Sequence, residues 1–306
     1  MLPSFYVTPT YERRKELKHS LELLLEIGAE YRLANDPLSF CHAYAEPADR
    51  EIAAVIASSF AYGNVRSILR SLAAIFSPMG ESPRSYVERF TPQRGREDFG
   101  RFRHRFNDGR DLVALLWGMR QMLEQSGSIQ AFFLTGDEPD DRDIGRSLER
   151  YSAAVLSLDY REVFGGGTIP PDSYFRFLFP SPASGSACKR LCMMLRWLVR
   201  PDDGVDLGLW KGVSPDRLIM PVDTHICRIG RYLGLTGRNT ADWRMAREIT
   251  ASLRDLDPAD PLKYDFALAH IGISNGCNGK KGDGCAVCSI NTLCCQSLKF
   301  DTSPPF

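Results

Sequence analysis

The stretch Phe179-Pro-Ser-Pro-Ala-Ser-Gly-Ser-Ala-Cys-Lys189-Arg-Leu-Cys-Met-Met-Leu195 joins a turn to the start of an apolar helix. The turn contains four consecutive small residues, Ser184, Gly185, Ser186 and Ala187. Small side chains let another group approach the backbone closely, and the N–H groups of a helix start attract anions such as phosphate. Lys189 lies in the first turn of this helix, beside Arg190. Because a lysine in an exposed first turn is most often only solvated, this stretch alone assigns no reaction.

Asp223 lies 34 residues beyond Lys189, within the segment Pro221-Val-Asp-Thr-His225. A periodic apolar pattern follows it, at Ile226, Ile229 and Leu233. An aspartate before such a pattern is most often an N-cap, which accepts hydrogen bonds from the first N–H groups of a helix. The carboxylate of a cap is also a good electrostatic partner for a cation that forms nearby. A structural and a catalytic role for Asp223 therefore both remain open.

The C-terminal region carries four cysteines with the spacing C-x7-C-x2-C-x5-C: Cys277, Cys285, Cys288 and Cys294. The sequence around them is rich in Gly, Lys and Asp and offers no apolar core to bury thiols. Four thiolates in a short polar loop indicate a soft metal centre rather than a disulfide pair. An iron–sulfur cluster and a four-thiolate zinc site both suit the pattern. Cys295 is an alternative fourth ligand.

The 306-residue chain has the composition of an ordinary globular protein, with 43% hydrophobic residues, 25% charged residues and no net charge by count. No apolar run approaches the ~18 residues that a membrane span needs. The first residues also lack the pattern of a signal peptide. We therefore expect a cytosolic protein without a membrane partner. Residues 84–110 contain eight arginines against four acids, with aromatic residues between them. This pattern is typical of a solvated charged face above core aromatics, and a local basic face that binds nucleic acid is the alternative.

Apolar positions recur at helical spacing almost throughout, and no sustained period-2 alternation appears. This pattern predicts an all-α fold, with Asn64 as the N-cap of one helix. The acidic loop at 137–141 is expected to be a solvated connector, and residues 200–220 a long polar connection. The predicted helices span about 11–34, 50–61, 65–75, 111–125, 141–157, 187–199, 222–234, 241–256 and 260–274.

Together these motifs resemble those of the helix-hairpin-helix DNA glycosylases of the endonuclease III type. That family has a Gly-Val-Gly-Arg-Lys hairpin, a Val-Asp-Thr-His segment and a C-x6-C-x2-C-x5-C cluster loop. Gly185 and Ala187 fall at the two glycine positions of the hairpin. Lys189 falls at the nucleophile and Asp223 at the catalytic aspartate. The long separation of these two residues resembles archaeal 8-oxoguanine glycosylases, and the whole chain resembles a bacterial branch often described only as a domain of unknown function.

The resemblance implies a two-lobed helical fold with a C-terminal four-cysteine loop. Residues 48–198 would form a barrel lobe ending in the hairpin helix, residues 1–47 and 199–276 a second lobe, and residues 277–295 the loop of a [4Fe–4S] cluster. The implied partner is double-stranded DNA that contains a damaged base or an abasic site, bound by a monomeric, nucleoid-associated protein. The expected DNA contacts are Phe60, Tyr62, Asn64, Ser184, Gly185, Ser186, Ala187 and Arg190.

The implied activity is base excision followed by strand cleavage as an AP lyase. Lys189 would form a Schiff base with the sugar, and Asp223 would stabilise the positive charge that develops on it. An aromatic residue at Phe60 or Tyr62 would fill the space left by the extruded nucleotide. Two alternatives remain from the sequence: a non-catalytic DNA-binding protein with the same fold and cluster, and a zinc site on an unrelated helical scaffold.

Overall fold

The computed structural model describes residues 11–26, 33–274, 277, 282–286 and 288–294. Helices account for most of these residues, and the strands found among them form one small antiparallel hairpin. The prediction of a mostly helical chain is therefore confirmed. In the same ranges, no helix is both long and apolar enough to span a membrane.

The elements of the N-terminal half are α1 (Tyr11–Glu26), α2 (Ser39–His42), α3 (Pro47–Phe60), α4 (Val65–Phe76), α5 (Pro83–Glu88), α6 (Pro92–Phe99), β1 (Arg103–His104), β2 (Asn107–Asp108), α7 (Gly109–Ser126), α8 (Ile129–Leu134) and α9 (Gly145–Leu156). Those of the C-terminal half are α10 (Arg161–Phe164), α11 (Phe175–Leu178), α12 (Lys189–Val199), α13 (Thr224–Tyr232), α14 (Trp243–Arg254) and α15 (Asp265–Ser274).

Helix α3 lies at the centre of the core. Every residue from Glu51 to Phe60 is buried, and residues 52–60 are apolar or small on all faces of the helix. A helix without a polar face is enclosed by other elements, and here α2, α4, α5 and α12 pack around it. Helix α12, which begins at Lys189, is thereby fixed against the most buried element of the molecule.

Glu51 is a buried acid that connects α3 with two distant segments. It accepts hydrogen bonds from the backbone N–H groups of Ile129 and Gln130, at 3.2 and 2.9 Å, and so caps α8. It also accepts a 2.8 Å bond from the indole N–H of Trp210. Because a buried polar group costs free energy unless it is hydrogen-bonded, these contacts make Glu51 a fixed junction. Residues 200–220, expected to be a polar connection, therefore pack into the core through Trp210.

The acidic loop at 137–141 is not only a solvated connector, and this prediction was wrong. The side chain of Asp137 is 1% exposed and forms two 2.9 Å hydrogen bonds with Arg217. Although burial opposes it, hydrogen bonds from Arg217 and Ser147 hold the pKa of the Asp137 carboxyl below its ordinary value. No local pattern indicated the pair, because its two members are 80 residues apart in the chain.

Two arginines near the end of α12 lie in a buried ion-pair network. Arg196 donates to Asp206 at 3.1 Å and to Asp265 at 2.5 Å, and all three side chains are at most 5% exposed. Arg200 also contacts Asp206, and it binds both carboxylate oxygens of Asp260 at 3.0 Å. Asp206 belongs to the 200–220 connection and Asp265 begins α15. The network therefore ties α12 to two other segments.

Helix α1 packs against the C-terminal helices. Glu22 accepts hydrogen bonds from Lys263 at 2.8 Å and from the hydroxyl of Tyr264 at 2.6 Å. Arg14 pairs with Asp255 at 3.2 Å. The described part of α1 ends at Glu26, and residues 27–32 of the predicted first helix lie outside the described residues.

We expect Asp206→Asn to lower the free energy of unfolding by about 3–5 kcal/mol, because it leaves two buried guanidinium groups without their shared carboxylate. Urea unfolding followed by tryptophan fluorescence measures the change. Asp159→Asn is the control, since its pair with Arg161 is exposed, and its unfolding midpoint should match the wild type. Equal midpoints for both variants would contradict a structural role for the network.

Candidate functional site

The hairpin before α12 brings Lys189 to the surface. Pro182–Ser184 forms a 3-10 turn, and Gly185 follows in the left-handed region with φ +80°. The backbone N–H of Trp243 donates to the carbonyl of Gly185 at 3.2 Å, which fixes the hairpin against the start of α14. Cys188 also has a left-handed conformation, with φ 47°, and turns the chain into α12. Lys189 is the first helical residue and is partly exposed.

Asp223 is the N-cap of α13, as predicted. Its Oδ1 atom accepts hydrogen bonds from the backbone N–H groups of His225 and Ile226, at 2.8 and 2.9 Å. Its Oδ2 atom lies 3.6 Å from Nζ of Lys189. The two side chains are 32% and 25% exposed, so another molecule can reach them. One carboxylate therefore caps a helix through one oxygen and faces a lysine through the other.

A second acid, Asp265, which the sequence analysis missed, interacts electrostatically with both members of this pair. Burial raises the pKa of the Asp265 carboxyl above its ordinary value; Arg196 opposes this shift, and the charge of Asp223 adds to it. Lys189 also acts electrostatically on Asp265 and lowers its pKa. The lone acid in the apolar sequence around α15 was the signal that could have identified it.

The expected hairpin contacts differ in their exposure. Ser184 and Gly185 are exposed, whereas Ser186 and Ala187 are half-buried. No atom lies within 4 Å of the position that a Cβ on Gly185 would occupy. The hairpin therefore presents open space at Gly185, where another backbone or a phosphate can approach closely.

Arg190 does not have the exposed position expected of a DNA contact, which corrects that expectation. It is 7% exposed, and its guanidinium donates to the backbone carbonyls of Ser59, at 2.9 Å, and of Phe177. It also stacks on the rings of Phe177 and Tyr62, at 4.0 and 5.0 Å from their centroids. Burial lowers the pKa of Arg190 to about 10. The residue fixes neighbouring aromatic side chains instead.

The expected DNA contacts Phe60, Tyr62 and Asn64 also differ in their exposure. Phe60 is fully buried beside Phe102 and His104, so it has no surface to offer DNA, and this expectation is corrected. Tyr62 is partly buried, and its hydroxyl donates to the side chain of Asn107 at 2.6 Å. Asn64 is exposed and caps α4 as predicted, accepting a 3.0 Å bond from the backbone N–H of Arg66.

The four cysteines of the C-terminal loop are free and partly exposed. Burial raises the pKa of the Cys288 thiol, and the nearby thiols of Cys277, Cys294 and Cys285 raise it further. Among the residues that the structure describes, no group of three or more His, Cys, Asp or Glu is arranged to hold a metal ion. Cys295, the alternative ligand, lies outside them.

Most of the arginines at 84–110 have structural partners. Ion pairs between residues four apart join Arg84 to Glu88 at 2.7 Å in α5 and Arg94 to Asp98 at 3.4 Å in α6. Three aromatic residues of the segment are buried, namely Tyr86, Phe90 and Phe99. The prediction of a charged face above core aromatics holds for this part. Phe106 is different, because it is 52% exposed.

Residues 36–274 match a family whose description reads "Protein of unknown function (DUF2400)". The chain belongs to the DUF2400 family. The match includes Lys189 and Asp223 and ends before the first of the four loop cysteines. No curated protein and no solved structure matches this DUF2400 chain.

We expect Asp223→Ala to lower the free energy of unfolding by about 1 kcal/mol, because α13 loses the acceptor for its first N–H groups. Asp223→Asn keeps a side-chain oxygen at the cap and should lower it by only a few tenths of that amount. Thermal unfolding followed by circular dichroism compares the two variants. If both lost stability equally, the negative charge of Asp223 and not its capping bonds would stabilise the fold.

Proposed function

We propose that this protein is a DNA glycosylase with AP lyase activity, which removes a damaged base through a lysine Schiff base. The approach of Lys189 Nζ to within 3.6 Å of Asp223 Oδ2, across 34 residues of chain, is the observation that carries the proposal. Membership in the DUF2400 family assigns no activity. The reaction class comes from the resemblance of the motifs to helix-hairpin-helix glycosylases.

Asp223 is suited to stabilise a developing cation. Positive charge forms on the sugar as the bond between sugar and base breaks, and a carboxylate already held in place stabilises it without reorganisation. The two backbone hydrogen bonds to Oδ1 hold the carboxylate of Asp223 in this way. Oδ2 remains directed at Lys189 and at the partly exposed space around it.

Lys189 is suited to act as the nucleophile. Its ammonium group must lose a proton before it attacks, and Oδ2 of Asp223 is a nearby acceptor. The distance of 3.6 Å is longer than a hydrogen bond, as is common for catalytic groups before substrate binds. The amine then forms a bond to C1′ as the bond to the base breaks, and the base leaves with the electron pair of that bond and takes up the proton held by Asp223. Transfer of a proton from the bound nitrogen to the ring oxygen opens the sugar and gives the Schiff base, and loss of a proton from C2′ then expels the 3′ phosphate by β-elimination.

The hairpin beside Lys189 is suited to hold a DNA phosphate. Gly185 is exposed with open space around it, and the start of α12 adds the positive end of a helix dipole. A phosphate held there would keep the sugar near Lys189 while the base is extruded, which costs a few kcal/mol. We propose double-stranded DNA with a damaged base or an abasic site as the partner, bound by a monomer in the nucleoid.

We further propose that Cys277, Cys285, Cys288 and Cys294 hold a [4Fe–4S] cluster. All four are free thiols, and the effect of the other three on the pKa of Cys288 supports their proximity. Such a donor set suits iron–sulfur ligation, with zinc as the alternative. When bound, the cluster would cross-link the C-terminal loop, and it takes no part in the steps at Lys189.

We expect Lys189→Ala to abolish the covalent adduct that borohydride traps between the protein and abasic DNA, because the variant lacks the attacking amine. Affinity for duplex DNA should change less than about twofold, since one cation contributes little to an interface with many phosphates. Lys211→Ala is the control, because Lys211 is an exposed lysine in the 200–220 connection. It should trap like the wild type.

An adduct that persists in Lys189→Ala would overturn the assignment of the nucleophile. If the wild type bound duplex DNA tightly but neither excised any lesion nor cleaved abasic DNA, the non-catalytic DNA-binding alternative would replace the glycosylase.

We expect anaerobically purified protein to contain iron and to show broad visible absorption, which Cys288→Ser should remove together with part of the thermal stability. Cys227→Ser is the control, because Cys227 is a partly exposed free cysteine on α13, outside the loop. It should keep the colour. Stoichiometric zinc without iron in the wild type would contradict the iron–sulfur assignment.

A further inference from the structure

Three exposed aromatic side chains form a surface that the proposed catalytic steps do not use. Phe106, Tyr174 and Phe177 are 52%, 49% and 41% exposed, and we name them the aromatic platform. Phe106 stacks on Tyr174 with ring centroids 5.5 Å apart and planes at 20°. The ring of Phe177 meets Phe106 edge-on at 6.2 Å. The described part of the chain exposes six large hydrophobic side chains, and these three are half of them. Because the three rings contact one another, they form a patch and not scattered surface residues.

The platform is held in place by a rigid hairpin. Phe106 lies in the two-residue turn between β1 and β2, after Arg105, which has a strained φ of 53°. His104 is buried at the base of the turn, and its ring bonds to the hydroxyl of Ser71 at 2.8 Å and to the carbonyl of Tyr62 at 3.0 Å. A strained residue persists only where its surroundings fix it. The tip of the hairpin is therefore a fixed support for the Phe106 ring.

Arg190 connects the platform to the catalytic pair. It follows Lys189 in the chain, and its guanidinium lies 4.0 Å from the centroid of the Phe177 ring. It also donates a hydrogen bond to the backbone carbonyl of Phe177. The platform is therefore joined through Arg190 to the first turn of α12, which begins at Lys189.

The charge around the platform suits a polyanion. Arg105, which precedes Phe106, and Arg176, which precedes Phe177, are exposed, and no carboxylate of the described residues forms an ion pair with them. The aspartates of the same segments already have partners, in Arg103–Asp108 at 3.3 Å and Arg110–Asp172 at 3.0 Å. Aromatic rings flanked by free arginines are the combination that binds single-stranded nucleic acids, with bases on the rings and phosphates beside the cations.

We infer that the aromatic platform stacks unpaired bases of a single-stranded DNA segment beside the Lys189–Asp223 pair. The inference rests on the proposed function for the identity of its partner as DNA. In a duplex, neighbouring base pairs cover both faces of each base, so an exposed ring can bind only bases that have left the stack. The protein would then act on damage at unpaired or opened sites, such as overhangs and bubbles, in preference to closed duplex.

The test compares binding of two fluorescent oligonucleotides at one salt concentration, a 12-nucleotide single strand and its matched duplex, both without lesions. The double variant Phe106→Ala/Phe177→Ala should bind the strand roughly five- to a hundredfold more weakly, as expected for lost base–aromatic stacking. Its affinity for the duplex should change less than about twofold, because phosphate contacts dominate there. The variant Phe106→Tyr/Phe177→Tyr keeps stacking rings and should bind the strand like the wild type.

Leu23→Ala is the matched control, since Leu23 is 47% exposed on α1 and lies outside the platform. Circular dichroism confirms that each variant is folded. A 2-aminopurine base in the strand should lose fluorescence on binding the wild type, because it stacks on a ring, and should lose less on binding the alanine variant.

Unchanged affinity of the alanine variant for the strand would overturn the inference and leave the platform as a surface for a protein partner. Equal losses for strand and duplex would overturn it as well. Borohydride trapping separates the two proposals. If the wild type traps abasic DNA while the platform variants bind the strand normally, only the inference fails. If strand binding depends on the platform but no adduct forms, only the proposed activity fails.

Discussion

The arrangement of the site depends on the buried ion pairs that the guanidinium of Arg196 forms with Asp206 and Asp265. This guanidinium joins Asp206 of the 200–220 connection to Asp265 at the start of α15. Lys189 lies seven residues before Arg196, about two helical turns, so both side chains project from the same face of α12. Burying charges gives little net stability, but it requires each charge to meet its partner. The network thereby sets the position of α12, and with it the position of Lys189 relative to Asp223.

The position of Asp223 at the start of α13 follows from helix capping, which depends only on residues near it in the chain. An aspartate before a periodic apolar segment caps the helix, and the cap leaves one oxygen free. That oxygen faces Lys189 because tertiary structure brings the two helix starts together.

The two non-glycine residues with positive φ in the described ranges, Cys188 and Arg105, directly precede Lys189 and Phe106. Such conformations cost about 1–3 kcal/mol each and are concentrated at functional sites.

The sequence alone predicted the helical class, the caps at Asn64 and Asp223, and the bounds of the long helices after the first to within about five residues. These features depend on local periodicity and on hydrogen bonds between near neighbours, which a sequence records directly. The structure agrees with these features because the same local forces act in the folded chain. The short helices and the β1–β2 hairpin were not predicted, since tertiary contacts and not propensity stabilise elements of that length.

Hydrogen-bond partners that are distant in the chain could not be predicted from the sequence. Nothing near Asp137 reveals Arg217, and nothing near Arg190 reveals that its guanidinium bonds to carbonyls of Ser59 and Phe177. Phe60 is a different case, because it ends a run that is apolar or small on every face. That pattern indicates a helix enclosed on all sides, so its burial was predictable.

The most direct test of the central claim is to locate the covalent bond. Wild-type protein is incubated with abasic DNA, reduced with borohydride and digested, and the modified peptide is sequenced by mass spectrometry. We expect the sugar remnant on the side chain of Lys189, the amine that faces Asp223 at 3.6 Å. A remnant on any other amine, or cleaved DNA without a remnant on the protein, would contradict the claim that this pair is the catalytic site.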